Sequence, residues 1–493
     1  MTGSAEAYLS AASLDLVEPG IPVPDYLGGS ARIGMVHIGV GNFHRSHQAM
    51  YADRLLSADA ATPWAICGIG TRDADRDLVT ALQRQDGLYS LSLFGGDGSV
   101  ATRVIGSIRE VVLSVDDPRT ALDRLSHPDV RVVSLTITES GYIEDPSAGR
   151  RASDDEALQA DLADGLRAPR SAFGLIVAAL RARRASEIAP FTVMSCDNIQ
   201  ANGTIARASV IAAARLVDEE LAEWIGLEVG FPSTMVDRIT PQPTPAQAQA
   251  VRRMLGLRDD AIVVAEPFTQ WILEDDFRSG RPAWEAVGAV FAENIGAYEA
   301  MKLRLLNGAH QVLAYVGSLR GHALAHEAMR DDVVRGWLEA YWRSLALPDL
   351  DLPVGVDGDG YVRSLVERFS NPAIADTLER LASDSSARMA TFVLPVLVDA
   401  RDRHGFADLA GVLLASWAAS VGASTSSAVT TGVSARLLSA MRDADPCAFL
   451  AATDWLAPLA DDERLRASVS RTRDAFASLG AAEALERLLS SRR

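Results

Sequence analysis

The stretch MVHIGVGNFHRSHQAMYADRLL, residues 35–56, joins a short apolar run to a helical pattern through two glycines. The apolar run predicts a buried strand, and the pattern over Ser46–Ser57 predicts a helix. Gly39 and Gly41 permit a tight turn between them and let backbone N–H groups approach a pyrophosphate. Position in the chain therefore favours a dinucleotide turn over an ordinary loop, although His44 replaces the third glycine of the usual fingerprint.

Working outward from this turn, strand-like runs alternate with helical stretches over the first 294 residues. Strands are predicted at Arg32–Ile38, Trp64–Gly68, Leu88–Phe94, Arg103–Ile108, Val130–Thr138, Phe191–Cys196, Ala261–Ala265 and Val287–Phe291. From about Gly296 onward, helical periodicity dominates. We therefore predict an α/β protein, with a Rossmann-type dinucleotide-binding domain at residues 1–294 and a mainly α-helical substrate domain at 295–493. The cleft between two such domains is the expected active site.

Composition narrows the possible partners of the chain. Its 493 residues carry a formal net charge of −18, which disfavours nucleic acid and anionic membranes as partners. No run of about 18 apolar residues is evident, so no membrane span is predicted. The three cysteines, Cys67, Cys196 and Cys447, are widely separated, so a disulfide framework is not expected. We expect a cytoplasmic protein that acts on a small molecule.

The sequence offers little to a metal ion. His322 and His326 have the i, i+4 spacing that suits a ligand pair, but no third ligand lies nearby in the sequence. There is no HExxH motif and no CxxC motif. We therefore predict that there is no metal site.

Two acidic residues follow the second predicted strand, in GIGTRDADRDL. A carboxylate from Asp73 or Asp75 could accept the ribose hydroxyls of the cofactor, which favours NAD over NADP. Arg72 lies beside them and could instead accommodate a 2′-phosphate. A solvated loop of mixed charge is an equally good interpretation of each single residue.

Polar residues cluster on a second helix, AYEAMKLRLLNGAHQVLAYVGSLRGH, residues 297–322. At about 100° per residue from Lys302, Glu299 falls at about 60°, His310 at about 80° and Asn307 at about 140°. Apolar residues surround this arc, which predicts a buried helix. Burying these groups costs several kcal/mol unless they are paired or used. A Glu299–Lys302 ion pair is the structural alternative to a functional site.

Oxidation of a secondary alcohol gives such a cluster a purpose. Hydride leaves the carbinol carbon only as the hydroxyl proton is removed by a base within hydrogen-bond reach. A buried lysine can be that base, and amide side chains can stabilise the developing alkoxide. A further amide, Asn198, follows the predicted strand Phe191–Cys196 at the edge where open α/β sheets bind ligands. In isolation, the Asp197–Asn198 pair could equally be a turn or a helix cap.

Taken together, these segments resemble the mannitol dehydrogenase family, the polyol-specific long-chain dehydrogenases, over nearly the whole chain. The matching stretches are HIGVGNFHRSHQAMYADRLL, VSLTITESGY, FTVMSCDNIQANG, MVDRITP, EPFTQWILED, KLRLLNGAH and ERFSNPAIADTLER. The resemblance implies a metal-independent enzyme that uses NAD and is a monomer. GIGTRDADR and SNPAIADTLERLASD are more similar to the members that interconvert D-mannitol and D-fructose than to the hexuronate reductases.

The resemblance also implies roles for individual residues. Lys302 would be the general base, Asn198 and Asn307 would stabilise the alkoxide, His310 would orient the carbinol and Glu299 would relay the proton. Substrate-binding positions would be Asp237, Arg380 and Arg388. Cofactor-binding positions would be Gly39, Val40, Gly41, Asn42, Phe43, Asp73, Asp75, Thr138 and Glu139.

The chain departs from the family pattern at two of these positions. Arg388 stands where lysine is usual, and Asn42 stands where glycine is common. Two other functions therefore stay open at this point. Fructuronate and tagaturonate reductases share the lysine signature, and a non-catalytic NAD-sensing protein would share the dinucleotide turn.

Overall fold

The computed structural model describes residues 7–28, 32–144 and 149–492. The chain divides into two compact units. The N-terminal unit comprises Met1–Gly95 and Ser99–Ile295, and the helical unit comprises Gly96–Gly98 and Gly296–Arg493. The division next to Ile295 lies one residue from the predicted boundary.

Eleven strands lie in the described part of the N-terminal unit. They are β1 (Ile33–Ile38), β2 (Ala65–Gly70), β3 (Tyr89–Phe94), β4 (Val100–Ile105), β5 (Ile108–Leu113), β6 (Val132–Leu135), β7 (Thr192–Ser195), β8 (Thr234–Asp237), β9 (Val263–Ala265), β10 (Gln270–Leu273) and β11 (Val290–Phe291). Five of them form a parallel sheet in the order β5-β2-β1-β6-β7. Two three-stranded sheets, β11-β10-β8 and β4-β3-β9, complete the unit.

The predicted fold class is confirmed, and the differences concern single strands. The predicted strand Arg103–Ile108 straddles two elements, because its first part ends β4 and its last residue begins β5. β4 pairs antiparallel with β3, whereas β5 pairs with β2 at the edge of the parallel sheet. The short strands β8 and β10 were not predicted; they pair antiparallel with each other in a separate sheet.

Helices cover both faces of the parallel sheet. The α-helices of the N-terminal unit are α1 (Asn42–Ser46), α2 (Gln48–Ala58), α3 (Arg76–Arg84), α4 (Pro118–Ser126), α5 (Glu156–Ala163), α6 (Ala172–Ala185), α7 (Asn202–Arg215), α8 (Glu219–Glu228) and α9 (Pro245–Leu255), of which α9 packs on the β4-β3-β9 sheet instead. Side chains alternate along β1, so Val36 and Ile38 join the core under α4, α6, α7 and α8. Met35 joins the opposite core, under α2 and α3. Burial on both faces explains the continuous apolar runs of the strands.

The described residues of the helical unit include three segments of π-helix among the α-helices. The π segments are π1 (Lys302–Asn307), π2 (Trp342–Ala346) and π3 (Met389–Val393). The α-helices are α10 (Ile295–Met301), α11 (Gly308–Leu319), α12 (Ala325–Ala328), α13 (Asp332–Tyr341), α14 (Gly358–Phe369), α15 (Leu378–Leu381), α16 (Ser385–Arg388), α17 (Leu394–Asp399), α18 (Phe406–Ala423), α19 (Ser427–Thr430), α20 (Ala435–Met441), α21 (Ala457–Ala460), α22 (Glu463–Leu479) and α23 (Ala481–Ser490).

Helix α18 forms the centre of this unit and corrects one prediction. It is long and apolar enough to cross a membrane by length and composition, contrary to the expectation that no such run exists. In the structure, 67% of that helix is buried, and it packs against α11, α20 and α22. A helix that is buried on most sides is apolar nearly all round, so the apolar character of α18 is that of a core helix.

Candidate active site

The glycine turn follows β1 directly. Gly39 has a φ of +100°, and a Cβ on it would overlap the carbonyl oxygen of Thr136, so no other residue fits without strain. Its N–H donates to the carbonyl of Ile69 at 2.9 Å, which ties the turn to β2. A Cβ on Gly41 would meet nothing within 4 Å, and Gly41 is exposed. The backbone at Gly39 is therefore packed against Thr136, whereas the backbone at Gly41 is accessible to a ligand.

All predicted cofactor-binding residues lie at the carboxyl edge of the parallel sheet. Residues 39–43 follow β1, Asp73 and Asp75 follow β2, and Thr138 and Glu139 follow β6. The strands β2 and β5 lie on one side of β1 in the sheet, and β6 and β7 lie on the other. The strand order therefore reverses next to β1, and open α/β sheets bind ligands at such a topological switch point. Two of these side chains point into the protein: Val40 is buried, and the Phe43 ring stacks on His47.

A buried histidine beneath the turn was missed by the sequence analysis. Nδ1 of His37 lies 2.8 Å from Ser134 Oγ, and Nε2 lies 2.8 Å from Thr136 Oγ1 and 3.0 Å from the carbonyl of Gly39. Its ring stacks on that of His44 with centroids 3.4 Å apart. Burial lowers the pKa of His37 to about 3, so the ring is neutral. A single polar residue inside an apolar strand was the signal that could have found it.

The two acidic candidates after β2 have different environments. Oδ2 of Asp75 accepts hydrogen bonds from the N–H groups of Thr71 and Arg72, each at 3.1 Å. Asp73 instead pairs with Arg76 at 2.8 Å, and its side chain is 85% exposed against 18% for Asp75. Asp75 therefore fixes the shape of the turn, whereas Asp73 belongs to a surface ion pair.

The loop after β6 is held by an aspartate from the loop after β7. Asp197 accepts hydrogen bonds from the N–H groups of Ile137 at 3.0 Å and Thr138 at 2.9 Å, and from the hydroxyl of Tyr142 at 2.7 Å. Burial raises the pKa of this carboxyl above its usual value, and the three hydrogen bonds act in the opposite direction. Thr138 keeps a φ of +66°, a strained value for a threonine. Asn198 follows Asp197 directly and is exposed.

Asp237 is the last residue of β8 and is 4% exposed. The next residue, Arg238, is buried and donates to the carbonyls of Ser46 at 2.5 Å and Glu266 at 3.0 Å. The end of β8 is thereby fastened to the helix that follows the glycine turn, within the same unit.

The lysine segment is not the continuous α-helix that periodicity predicted. After α10 the chain enters π1, in which the N–H of Gly308 donates to the carbonyl of Leu303, five residues back. The predicted angle of about 140° between Lys302 and Asn307 is therefore wrong. A turn closed by an i→i+5 bond holds about one residue more than an α turn, which brings residues five apart to the same face. His310 follows Asn307 by three residues in α11, so it also lies near that face.

Three of the four polar side chains of this segment are buried as predicted, and His310 is half-buried. Lys302 and Glu299 are each 7% exposed, and Asn307 is 6% exposed. Within the residues that the structure describes, Nδ2 of Asn307 has no hydrogen-bond acceptor.

Lys302 is also the sole lysine among the 47 lysine and arginine residues of the chain. This compositional signal could have singled it out from sequence.

His310 lies among charged side chains of the helical unit. Its ring packs on Phe369 with centroids 4.6 Å apart. Burial lowers the pKa of His310 to about 3, with Arg380, Arg368 and Arg388 acting in the same direction and Asp376 opposing them. The imidazole is therefore neutral and can both donate and accept a hydrogen bond.

Two arginines predicted to bind substrate lie in the same part of the helical unit. Nε of Arg380 donates to Oδ1 of Asp376 at 2.5 Å, and a second bond joins the same two side chains. Arg388 donates to the carbonyl of Leu381 at 3.2 Å. Six predicted residues thus belong to this unit, namely Glu299, Lys302, Asn307, His310, Arg380 and Arg388. Among them, Arg380 and Arg388 lie close enough to His310 to act on it electrostatically. Asn198 and Asp237 belong to the N-terminal unit.

One histidine of the pair considered for a metal has another partner. Nε2 of His322 lies 3.0 Å from Oδ2 of Asp331, which also accepts from Nε of Arg320 at 2.8 Å. Among the described residues, no group of three or more His, Cys, Asp or Glu side chains could hold a metal ion.

Two family models match the chain in succession. The model of the mannitol dehydrogenase Rossmann domain matches residues 33–286, and the model of the mannitol dehydrogenase C-terminal domain matches residues 294–474. Together they span most of the chain, and they meet close to the division between the two units.

Similar proteins cover most of the chain as well. It is 42% identical over 395 residues to a mannitol 2-dehydrogenase of Emericella nidulans, covering 79% of this chain and 78% of the relative. It is 38% identical over 411 residues to mannitol dehydrogenase 2 of Saccharomyces cerevisiae, covering 83% and 82%. The solved ternary complex of Pseudomonas fluorescens mannitol 2-dehydrogenase with NAD and D-mannitol has a TM-score of 0.84 and 37% identity, covering 98% of this chain and 99% of that one. A substrate-free D-sorbitol dehydrogenase has a TM-score of 0.90 and 33% identity, covering 97% and 100%.

Proposed function

This chain belongs to the mannitol dehydrogenase family, and from that premise we propose that it is an NAD-dependent dehydrogenase that interconverts D-mannitol and D-fructose with Lys302 as its base. One observation carries the proposal. The sole lysine of the chain is buried in a π turn, with an asparagine on the same face and a neutral histidine one α turn further on.

The glycine turn fits a dinucleotide cofactor. Gly39 cannot carry a Cβ, and the backbone at Gly41 is open to a ligand, which is the arrangement a pyrophosphate requires. Thr138 and Glu139 would lie beside the cofactor in the adjacent loop, and Asp73 or Asp75 would present a carboxylate to the adenosine ribose. Bound NAD supplies the hydride acceptor for the oxidation.

Composition supports the choice of Lys302 as the base. Arginine occupies every other basic position in the chain, although a guanidinium carries the same charge. A guanidinium stays protonated in proteins, whereas a desolvated amine can lose its proton and accept another. The single lysine therefore places, at position 302, an amine that can exchange a proton where an arginine could not. In the oxidation its ε-amine would take the proton of the carbinol hydroxyl.

The neighbouring side chains complete the proposed chemistry. The amide N–H groups of Asn307 and Asn198 would donate to the oxygen as it gains negative charge. The Nδ2 atom of Asn307 is buried with no acceptor among the described residues, as such a donor requires. His310 would orient the hydroxyl as a neutral ring, and Glu299 would pass the proton from Lys302 toward solvent.

The far end of the substrate would contact Asp237, Arg380 and Arg388. The arginine at position 388 follows the usage of the whole chain, so by itself it does not indicate an altered substrate. Arg380 is held in place by its paired bonds to Asp376.

A hexuronate reductase is the second candidate function, and one observation favours it. The guanidinium groups of Arg380, Arg368 and Arg388 all act to lower the pKa of His310, so positive charge lies near this residue. Guanidinium groups near the substrate would suit the carboxylate of fructuronate or tagaturonate.

A side-by-side assay tests the proposal. Purified protein is given NAD with D-mannitol, D-sorbitol or D-arabinitol, and NADH with D-fructose or fructuronate, while NADH absorbance is followed. We expect the highest kcat/KM with the mannitol–fructose pair and no loss of rate on preincubation with a chelator. A strong preference for fructuronate would establish the second candidate. Cofactor binding without turnover on any substrate would indicate an NAD sensor.

We further propose that the protein is cytoplasmic and monomeric. The three cysteines are all unpaired and buried, which suits a reducing compartment. Light scattering on a size-exclusion column should give the mass of one chain, and a dimer mass would contradict the monomer.

A further inference from the structure

The π turn that carries the lysine needs support from outside its own helix. In an α-helix the N–H of Gly308 would donate to the carbonyl of Arg304, but here it donates to Leu303. π segments are rare and strained, so something must favour this one over a regular helix. The segment π3 is followed by Pro395 and π2 by Pro348, which cannot continue an α ladder. No proline lies in or just after π1.

Two neighbouring side chains supply that support from the junction of α13 and π2. The hydroxyl of Tyr341 donates to the carbonyl of Arg304 at 2.9 Å, and Nε1 of Trp342 donates to the carbonyl of Leu305 at 2.8 Å. Both side chains are almost fully buried, at 2% and 1% exposure. The carbonyl that loses its usual donor in the π turn therefore receives a side-chain donor instead.

Gly308 makes this approach possible. A Cβ on Gly308 would overlap the hydroxyl of Tyr341, so any larger residue would push the tyrosine away from the carbonyl of Arg304. The glycine in the sequence LLNGAH is thus explained by a tertiary hydrogen bond and not by a turn, since its φ is an ordinary helical −62°.

Trp342 has a second connection to the same group of residues. Its ring stacks beside that of Phe369 with centroids 6.3 Å apart, and Phe369 in turn packs on His310. Trp342 therefore contacts both the backbone of π1 and Phe369, the residue on which the His310 ring packs.

From these contacts we infer that Tyr341 and Trp342 are positioning residues, which hold π1 so that Lys302, Asn307 and His310 share one face. The spacing Lys-x4-Asn-x2-His then has a simple geometric meaning. Lys302 and Asn307 are one π turn apart, and Asn307 and His310 are one α turn apart. If π1 relaxed to an α-helix, Lys302 and Asn307 would separate to about 140° around the axis.

This inference rests on the proposed role of Lys302, so the experiment includes Lys302→Ala as a reference. The test variants are Tyr341→Phe, which removes one hydroxyl, and Trp342→Phe, which removes the indole N–H. Trp337→Phe is the matched control, because Trp337 lies in the same helix and donates from Nε1 to the carbonyl of Leu485 at 3.2 Å, away from π1. For each variant kcat and KM for D-mannitol, NADH affinity and the thermal midpoint are measured.

We expect Tyr341→Phe and Trp342→Phe to lower kcat about tenfold or more while KM and NADH affinity change less than about threefold, since small misplacements of a base cost rate. Trp337→Phe should lose similar thermal stability and keep kcat within about twofold. Equal kcat in all three phenylalanine variants would overturn the inference. A fully active Lys302→Ala would instead overturn the proposed function.

Hydrogen exchange gives an independent measurement that does not depend on the substrate. Peptides covering 302–310 should exchange faster in Tyr341→Phe and Trp342→Phe than in Trp337→Phe, because the carbonyls of the π turn lose their side-chain donors. If Trp342→Phe does not fold, Tyr341→Phe decides, since it keeps the ring. Unchanged exchange in this segment would contradict the inference.

Discussion

The glycine turn after β1 and the lysine turn π1 are both short irregular segments that follow a regular element. The sequence requirements of the two turns are nevertheless opposite. At Gly39 the requirement is the absence of a side chain, because the carbonyl of Thr136 occupies the space. At Lys302 the requirement is a particular side chain, held by a backbone that distant residues keep irregular. We therefore expect substitutions at Gly39 to act through side-chain volume and substitutions at Lys302 to act through the chemistry of the side chain.

The largest expected effect comes from Lys302→Arg, which keeps the charge and much of the length. We expect turnover of D-mannitol to fall by about 10³-fold, because a guanidinium cannot accept the proton. NADH binding, followed by fluorescence titration, should stay within about threefold. The reverse exchange Arg304→Lys, in the same π turn, is the control and should remain active. Turnover within tenfold of wild type in Lys302→Arg would show that the base lies elsewhere.

Gly39→Ala tests the opposite requirement. Its Cβ would overlap Thr136 and its φ would stay positive, so we expect a loss of about 2 kcal/mol or more in the stability of the cofactor-free protein. Gly41→Ala is the matched control, because open space surrounds that position. Urea unfolding of both variants measures the difference. Equal stabilities would remove the steric argument.

The buried histidines predict how stability depends on pH. Burial lowers the pKa of His37 from 6.5 to about 3. Between pH 6.5 and about pH 3, this histidine is therefore protonated in the unfolded chain and neutral in the folded chain. Stability is then complete above pH 6.5 and falls as pH decreases, by at most about 1.4 kcal/mol per pH unit for this residue. Unfolding at pH 6.5, 5.5 and 4.5 should show a shallower decline in His37→Gln than in His404→Gln, whose parent residue is exposed. Identical slopes would contradict the assignment.

The smallest expected effect comes from Arg388→Lys. The positive charge is kept, and only part of the guanidinium contact to the carbonyl of Leu381 is lost. KM for D-mannitol should change by no more than about threefold. A change above tenfold would mean that the fork of the guanidinium itself selects the substrate, and would strengthen the hexuronate alternative.

Much of the fold followed from local patterns. The strands β1, β2, β6 and β7 are apolar because both of their faces are covered, which makes them visible in sequence. The strands β8 and β10 are four residues long and pair only with distant segments, so no local period indicates them. The helix predicted over Ser46–Ser57 is α2, which begins two residues later because the chain departs from helical geometry at His47, after α1.

The candidate residues of the helical unit were predictable, but their geometry was not. Lys302, Asn307 and His310 stand out because polar groups in a buried helix are costly. The π turn depends on donors from Tyr341 and Trp342, more than 30 positions away in the chain, so periodicity placed Asn307 on the wrong side. The Asp197 contacts to the loop after β6 were hidden for the same reason, since they connect two loops that only the sheet brings together.

The chain has a single ε-amine, that of Lys302, and it is 7% exposed. Chemical modification of this amine would therefore report opening of the helical unit. Amine-directed reagents will meet an ε-amine that is almost fully covered in the native protein, and each molecule whose helical unit opens will offer that amine as a point of attachment. Mass spectrometry of the 302–310 peptide would therefore count opening events one chain at a time, without any label being introduced by mutation.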